Sequence, residues 1–163
     1  MYVLNTIAII VGIAAAGTLS LMRAPFTTLE KALYYMVFVT MHEHMHSVVA
    51  DNLQLLQITG KLSTFFFYKV SQLVVFPVIS VWLLYALFHP RLHGIWKTVL
   101  TAGWLWGLHG TYLYMKHKDI LRYSGWNWRY QYGVWLAVLA LTAGFALWFR
   151  WLLRKRDNDA AAA

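Results

Sequence analysis

Three histidines and one glutamate fall within five residues of this chain, in His42-Glu43-His44-Met45-His46. His42, Glu43 and His46 spell HExxH. On a helix this spacing puts both imidazoles on one face, one turn apart, with Glu43 offset by about 100° from His42. Two such imidazoles can grip zinc while the carboxylate between them acts as general base on the attacking water. His44 points nearly the opposite way, along the stripe of Val37, Met41, Val48 and Asp51, so a regular helix cannot close all three histidines on one ion. A zinc enzyme also needs a third ligand and an open position. His109 is the best candidate for that ligand. It lies about 15 residues into its apolar run and His42 about 13 into its own, so each sits roughly 20 Å from the start of its helix. One run separates the two helices, so they point in the same direction and the rings should meet at one depth.

Other polar residues compete for the same roles. His117, Asp119 and Asp51 could approach from one end, although Lys116 and Lys118 mark His117 as an interfacial residue. His89 and His93 also have helical spacing, but they follow a proline turn at the opposite end. Met41 and Met45 add soft ligands that would suit copper(I). A plainer reading makes the cluster a hydrogen-bonded packing network with Thr40, Ser47, Ser71 and Gln72. Gly103 and Gly107 form GxxxG, a close-approach face for another helix, with a porphyrin or quinone pocket as the sharper alternative.

The elements that must carry these residues are apolar helices. The chain has 163 residues, of which 60% are hydrophobic and only 12% charged, against the roughly 25% charged of a soluble domain. The excess of apolar and aromatic side chains excludes a disordered chain. Apolar runs cover residues 2–22, 29–50, 65–88, 94–115 and 132–153, each about the 20 residues that span a bilayer. They are too long for barrel strands and show no sustained alternation. Pro77 should kink the third run. Leu53, Leu55, Leu56 and Ile58 should let the segment between the second and third runs lie along the interface. The first run lacks the basic flank of a cleaved signal, so it reads as a retained helix.

Without cysteine there is no disulfide, thiolate metal site or redox thiol. The net charge of +8 is scattered between apolar runs, which favours lipid headgroups over nucleic acid. With the N-terminus outside, Arg23, Lys31, Arg91, Lys97, Arg150, Arg154, Lys155 and Arg156 fall inside. Lys61, Lys69, Lys116, Lys118, Arg122 and Arg129 then fall outside, so the C-terminus is expected in the cytoplasm. Trp126, Trp128, Tyr130, Tyr132 and Trp135 read as an interfacial aromatic belt.

The downstream half carries Gln72-Leu73-Val74-Val75-Phe76-Pro77, Leu87-Phe88-His89-Pro90 and Tyr123-Ser124-Gly125-Trp126-Asn127-Trp128. Over about the last 100 residues it resembles a family of small, uncharacterised multi-pass membrane proteins of spore-forming bacteria. The resemblance implies a five-span bacterial cell-membrane protein and brings no activity with it. His42, Glu43 and His46 also resemble the HExxH of intramembrane zinc proteases. Those enzymes take a further aspartate from a later span, and the third, fourth and fifth runs here contain no acidic residue. Several histidine pairs are similar to those of diiron desaturases and hydroxylases, but the HxxHH boxes are missing.

The sequence thus predicts an all-α integral membrane bundle of about five transmembrane helices, a single domain over 1–156 with a disordered polar tail at 157–163. The expected role is a non-catalytic metal- or proton-responsive binding, transport-associated or assembly component. Its polar centre would be His42, Glu43, His46 and His109, with zinc ahead of copper as the metal at His42, His46 and His109. An HExxH hydrolase with Glu43 as its catalytic base and a purely structural subunit are the alternatives. Membrane lipids, another membrane protein or a second copy docked on the Gly103/Gly107 face are the expected partners.

Overall fold

The computed structural model describes the backbone of residues 2–59 and 61–161; Met1, Gly60, Ala162 and Ala163 lie outside the described residues, as do the side chains of residues 2–4 and 156–161. The chain is mostly helical. In order it forms α1 (Tyr2–Thr18), a short 3-10 turn, α2 (Thr28–His46), β1 (Leu56–Ile58), α3 (Leu62–Val70), α4 (Phe76–Phe88), α5 (Gly94–His117), β2 (Leu121–Tyr123) and α6 (Trp128–Ala161). The stretch from 157 onward, expected to be disordered, thus continues α6 as helix through Ala161.

Two helical stretches are long and apolar enough to cross a membrane, Leu62–Phe88 and Trp128–Lys155. The apolar stretch of α1, Asn5–Leu21, is shorter. His, Glu, Gly and Trp dilute α2 and α5, so the five-span expectation is met in length and composition at two of the five places.

α2 starts on a capping box: Thr27 Oγ1 accepts from Glu30 N–H, and Thr27 N–H donates to Glu30 Oε2 at 2.7 Å. Together they satisfy two of the first-turn donors that a helix leaves unpaired. The same carboxylate accepts from Arg150 Nε of α6 at 2.7 Å, and Arg150 Nη2 donates to the Pro25 carbonyl. The guanidinium also lies 4.9 Å from the ring centroids of both Phe26 and Phe88. One buried ion pair therefore ties the start of α2 to the end of α6.

Pro77 acts as the sequence predicts, one turn early. It cannot donate to the carbonyl of Leu73, and a π-turn over Ser71–Val75 separates α3 from α4. The freed Leu73 carbonyl accepts instead from Tyr35 Oη of α2 at 2.7 Å. The helix break thus becomes a link between helices.

The segment expected to lie along the interface instead forms half of a two-stranded antiparallel ribbon, with Leu56 opposite Tyr123 and Ile58 opposite Leu121. Two connections from the same end of the bundle satisfy each other's backbone groups, which neither could do alone. Ser124 N–H donates to the Leu55 carbonyl, and Gly125 turns away at φ +97° under Leu55. Tyr34, Phe38, Tyr68, Phe76, Leu84, Leu108 and Met115 make the core.

Candidate functional site

Beneath the ribbon lies a cavity of about 40 Å³, walled by α2 (His42, Met45, His46), α3 (Tyr68), the π-turn (Gln72), α5 (Tyr112) and α6 (Gln131, Val134, Trp135, Val138). Val49, Leu56 and Trp126 complete its wall. That volume exceeds the roughly 10–15 Å³ that one water needs.

The imidazole of His42 is held at one of its two nitrogens. Its Nδ1 lies 2.7 Å from the carbonyl of Phe38, one turn back on α2. A carbonyl only accepts, so Nδ1 carries the proton and Nε2 keeps a bare lone pair. His42 is 6% exposed, and Nε2 has no hydrogen-bond partner among the described residues. Trp135 fixes the ring from one side at a centroid distance of 4.3 Å. Gln72 repeats the pattern. Its Nε2 donates to the His42 carbonyl at 3.3 Å, and its Oε1 is buried without a partner. Two acceptors, each oriented by a backbone carbonyl behind it, thus belong to residues lining one cavity. Gln131 Nε2 is a third partnerless buried atom there.

The other residues of the cluster leave for different partners. Both oxygens of Glu43 accept from Lys69 Nζ of α3, each at 2.9 Å. His46 Nδ1 pairs with the Tyr68 hydroxyl at 2.7 Å. His44 is exposed, as its opposite direction on α2 requires. His109 Nδ1 stands 3.3 Å from Gln131 Oε1 with its ring against Tyr132, so it connects to the cavity through Gln131 rather than lining it. Among the described residues, no group of three or more His, Cys, Asp or Glu could hold a metal ion. The set His42, His46 and His109 therefore gains no support as a zinc site, and His109 stands outside the cavity that His42 and His46 line. Nor does the geometry offer Glu43 as a free base.

His117 and Asp119 are exposed at the ribbon end, and Met45 lines the cavity while Met41 packs against the core. The aromatic belt divides. Trp128 and Tyr130 are exposed, whereas Trp135 is buried against His42 and Trp126 closes the cavity. Gln131 was the residue a reading of the sequence would pass over. Its signal was the spacing Gln131, Trp135, Val138 and Thr142, one inward helical face. Tyr123, on the ribbon, has a buried hydroxyl without a partner, and burial pushes its phenol above the ordinary value.

Comparison with protein-family models, curated proteins and solved structures finds no match. The site's own geometry is therefore the ground for a functional reading.

Proposed function

We propose that the chain is a non-catalytic component of a bacterial cell membrane, a five-span bundle whose chamber binds a small cation or hydrogen-bond donor, a proton included. The membrane setting draws support from the outward faces, which expose many large apolar side chains. Ile10 and Ile13 of α1, Met36 of α2, Leu100 and Trp106 of α5 and Leu141, Leu147 and Trp148 of α6 are all exposed. In water such a surface would aggregate, whereas in lipid it is the expected one. The C-terminus faces the cytoplasm in this reading, with Arg23, Arg91, Arg150 and Arg154 on that side.

One observation carries the binding role: the lone pairs of His42 Nε2 and Gln72 Oε1, both buried, both oriented by carbonyls and both without a partner. Two acceptors on one cavity call for a donor or a cation between them, since leaving each unmade costs about 1–3 kcal/mol. A carbonyl behind Nδ1 is also the arrangement that fixes the tautomer of an imidazole and aims its Nε2 at a partner. The small volume suits an ion or a single small molecule and leaves no room for a scissile substrate. A cation or donor shared by the two acceptors would draw α2 and the π-turn together, which fits a transport-associated or assembly component.

The test is ¹⁵N NMR of histidine-labelled protein in nanodiscs. The His42 Nε2 resonance should begin as an unprotonated imidazole nitrogen and move on acidification, or on addition of ammonium or zinc. A resonance unmoved by all three overturns the reading. Glu43→Gln separates it from a hydrolase. The variant should keep the His42 response and lose about 1 kcal/mol or less of stability, because the Lys69 pair is partly exposed.

A further inference from the structure

A second concavity opens on the flank of the bundle between α4 and α5. It has a volume of about 690 Å³, within the roughly 300–1,000 Å³ of small-molecule sites. Ile79, Leu83, Leu100 and Trp104 form its walls. Its floor is Gly103 and Gly107, where an added Cβ would meet nothing within 4 Å. The polar edges of the aromatic residues lining it are spoken for: Trp82 Nε1 donates to Thr18 Oγ1, Trp104 Nε1 to Ser80 Oγ and Tyr85 Oη to the Ala24 carbonyl. The groove is therefore apolar along its length. Along α4 the lining runs from Ile79 to His89, roughly 15 Å. That is about one leaflet, half of the roughly 30 Å hydrocarbon core.

The end of the groove has the opposite character. His89 and Leu92 line it there, Arg91 follows His89, and Arg23 adjoins the Ala24 carbonyl held by Tyr85. Both arginines are exposed, and neither has a carboxylate partner among the described residues. Glu30, which begins α2 at the same end, is committed to Arg150. α5 begins at this end too. His93 gives it no side-chain cap and its first turn holds no acidic residue, so the positive end of the helix is left unneutralised.

We propose that this groove binds one anionic phospholipid, with an acyl chain over Gly103 and Gly107 and the phosphate at Arg91, Arg23 and the start of α5. The proposal rests on the membrane setting above and is independent of the His42 chamber. Charge decides the occupant. A second copy laid on the same face would bring its own Arg23 and Arg91 to an unneutralised cationic rim or leave them out of the contact, whereas an anionic lipid offers the groove a chain and the rim a negative charge. Basic rims of grooves between helices on the cytoplasmic side are suited to anionic headgroups.

The experiment measures lipid binding to the full chain in mild detergent by native mass spectrometry, with phosphatidylglycerol against phosphatidylcholine. Phosphatidylglycerol should bind at least tenfold more tightly. Arg23→Gln with Arg91→Gln should bring that ratio to within threefold and leave phosphatidylcholine unchanged, since each cation near an anionic group contributes roughly fivefold. Both arginines are exposed, so this variant should fold. Gly103→Leu with Gly107→Leu should weaken both lipids at least fivefold by filling the floor. Equal binding of the two lipids overturns the proposal, as does an unchanged ratio in the arginine variant. Competition by glycerophosphoglycerol or inorganic phosphate would mean a phosphate site without the groove and overturns it too. So does a glycine variant that dissociates a dimer while its lipid binding stays intact, since a second copy is then the occupant. A chain that stays monodisperse without detergent refutes the membrane setting itself, an outcome distinct from lost lipid preference.

Discussion

Replacing Glu30 by Gln tests whether the ion pair at the closed end of the bundle holds α2 to α6. Gln keeps the length of the side chain, and its one oxygen can still accept from Thr27 N–H, while the Tyr34 hydroxyl, bonded to the other oxygen of Glu30, loses its acceptor. What it removes is the charge facing Arg150, whose side chain is 20% exposed against 5% for Glu30. Stranding one member of a buried pair costs about 3–5 kcal/mol. Two features lower that figure here. Arg150 keeps its bond to the Pro25 carbonyl, and its guanidinium keeps two aromatic faces. The expected loss is about 2–3 kcal/mol, which corresponds to a melting temperature lower by about 4–10 °C for a chain of this size. Arg150→Met should lose a similar amount by stranding Glu30. The double variant strands neither charge, so its loss should fall short of the sum by about 1.5–3 kcal/mol. The assay is tryptophan fluorescence of all four proteins through a denaturing-detergent titration, read as a double-mutant cycle. A coupling below about 0.5 kcal/mol, the value of an exposed pair, would refute the claim that this pair is buried and staples the two helices.

Gly125→Ala should destabilise the chain by about 1 kcal/mol, because φ is +97° and the new Cβ would stand 3.2 Å from Leu55 Cδ2; equal denaturation midpoints would disprove the tight turn. Tyr123→Phe removes a buried hydroxyl that has no partner, so stability near neutral pH should be unchanged or slightly higher. At high pH the two proteins should diverge. The Tyr123 phenol is raised above 10.0, so the folded chain keeps that proton after the unfolded chain has lost it, and this contribution to stability is lost as the pH climbs past about 10. Melts at pH 9, 10 and 11 should fall less steeply for Tyr123→Phe, and parallel curves would show that the phenol is not buried.

Some of this was legible because it depends on composition and on one helix at a time. The long apolar runs required helices, the spacing of His42 and His46 required that they share a face, and Pro77 required an irregularity in the third run. The opposite direction of His44 followed from the same geometry. No property of a single helix could say which partners would reach it from another. Lys69 takes Glu43, Tyr68 takes His46 and Gln131 takes His109 because α3 and α6 pack where they do, so the Glu43 carboxylate is paired and His109 stands behind Gln131 rather than in the cavity. Glu30 and Arg150 are 120 residues apart, yet the fold makes them one buried pair. The ribbon needed two connections to meet at one end, and each looked irregular in isolation. Local sequence determined the helices and the faces they present, whereas packing determined which lone pairs were left facing a cavity, since a polar group's chemistry depends on what remains unsatisfied after its neighbours arrive.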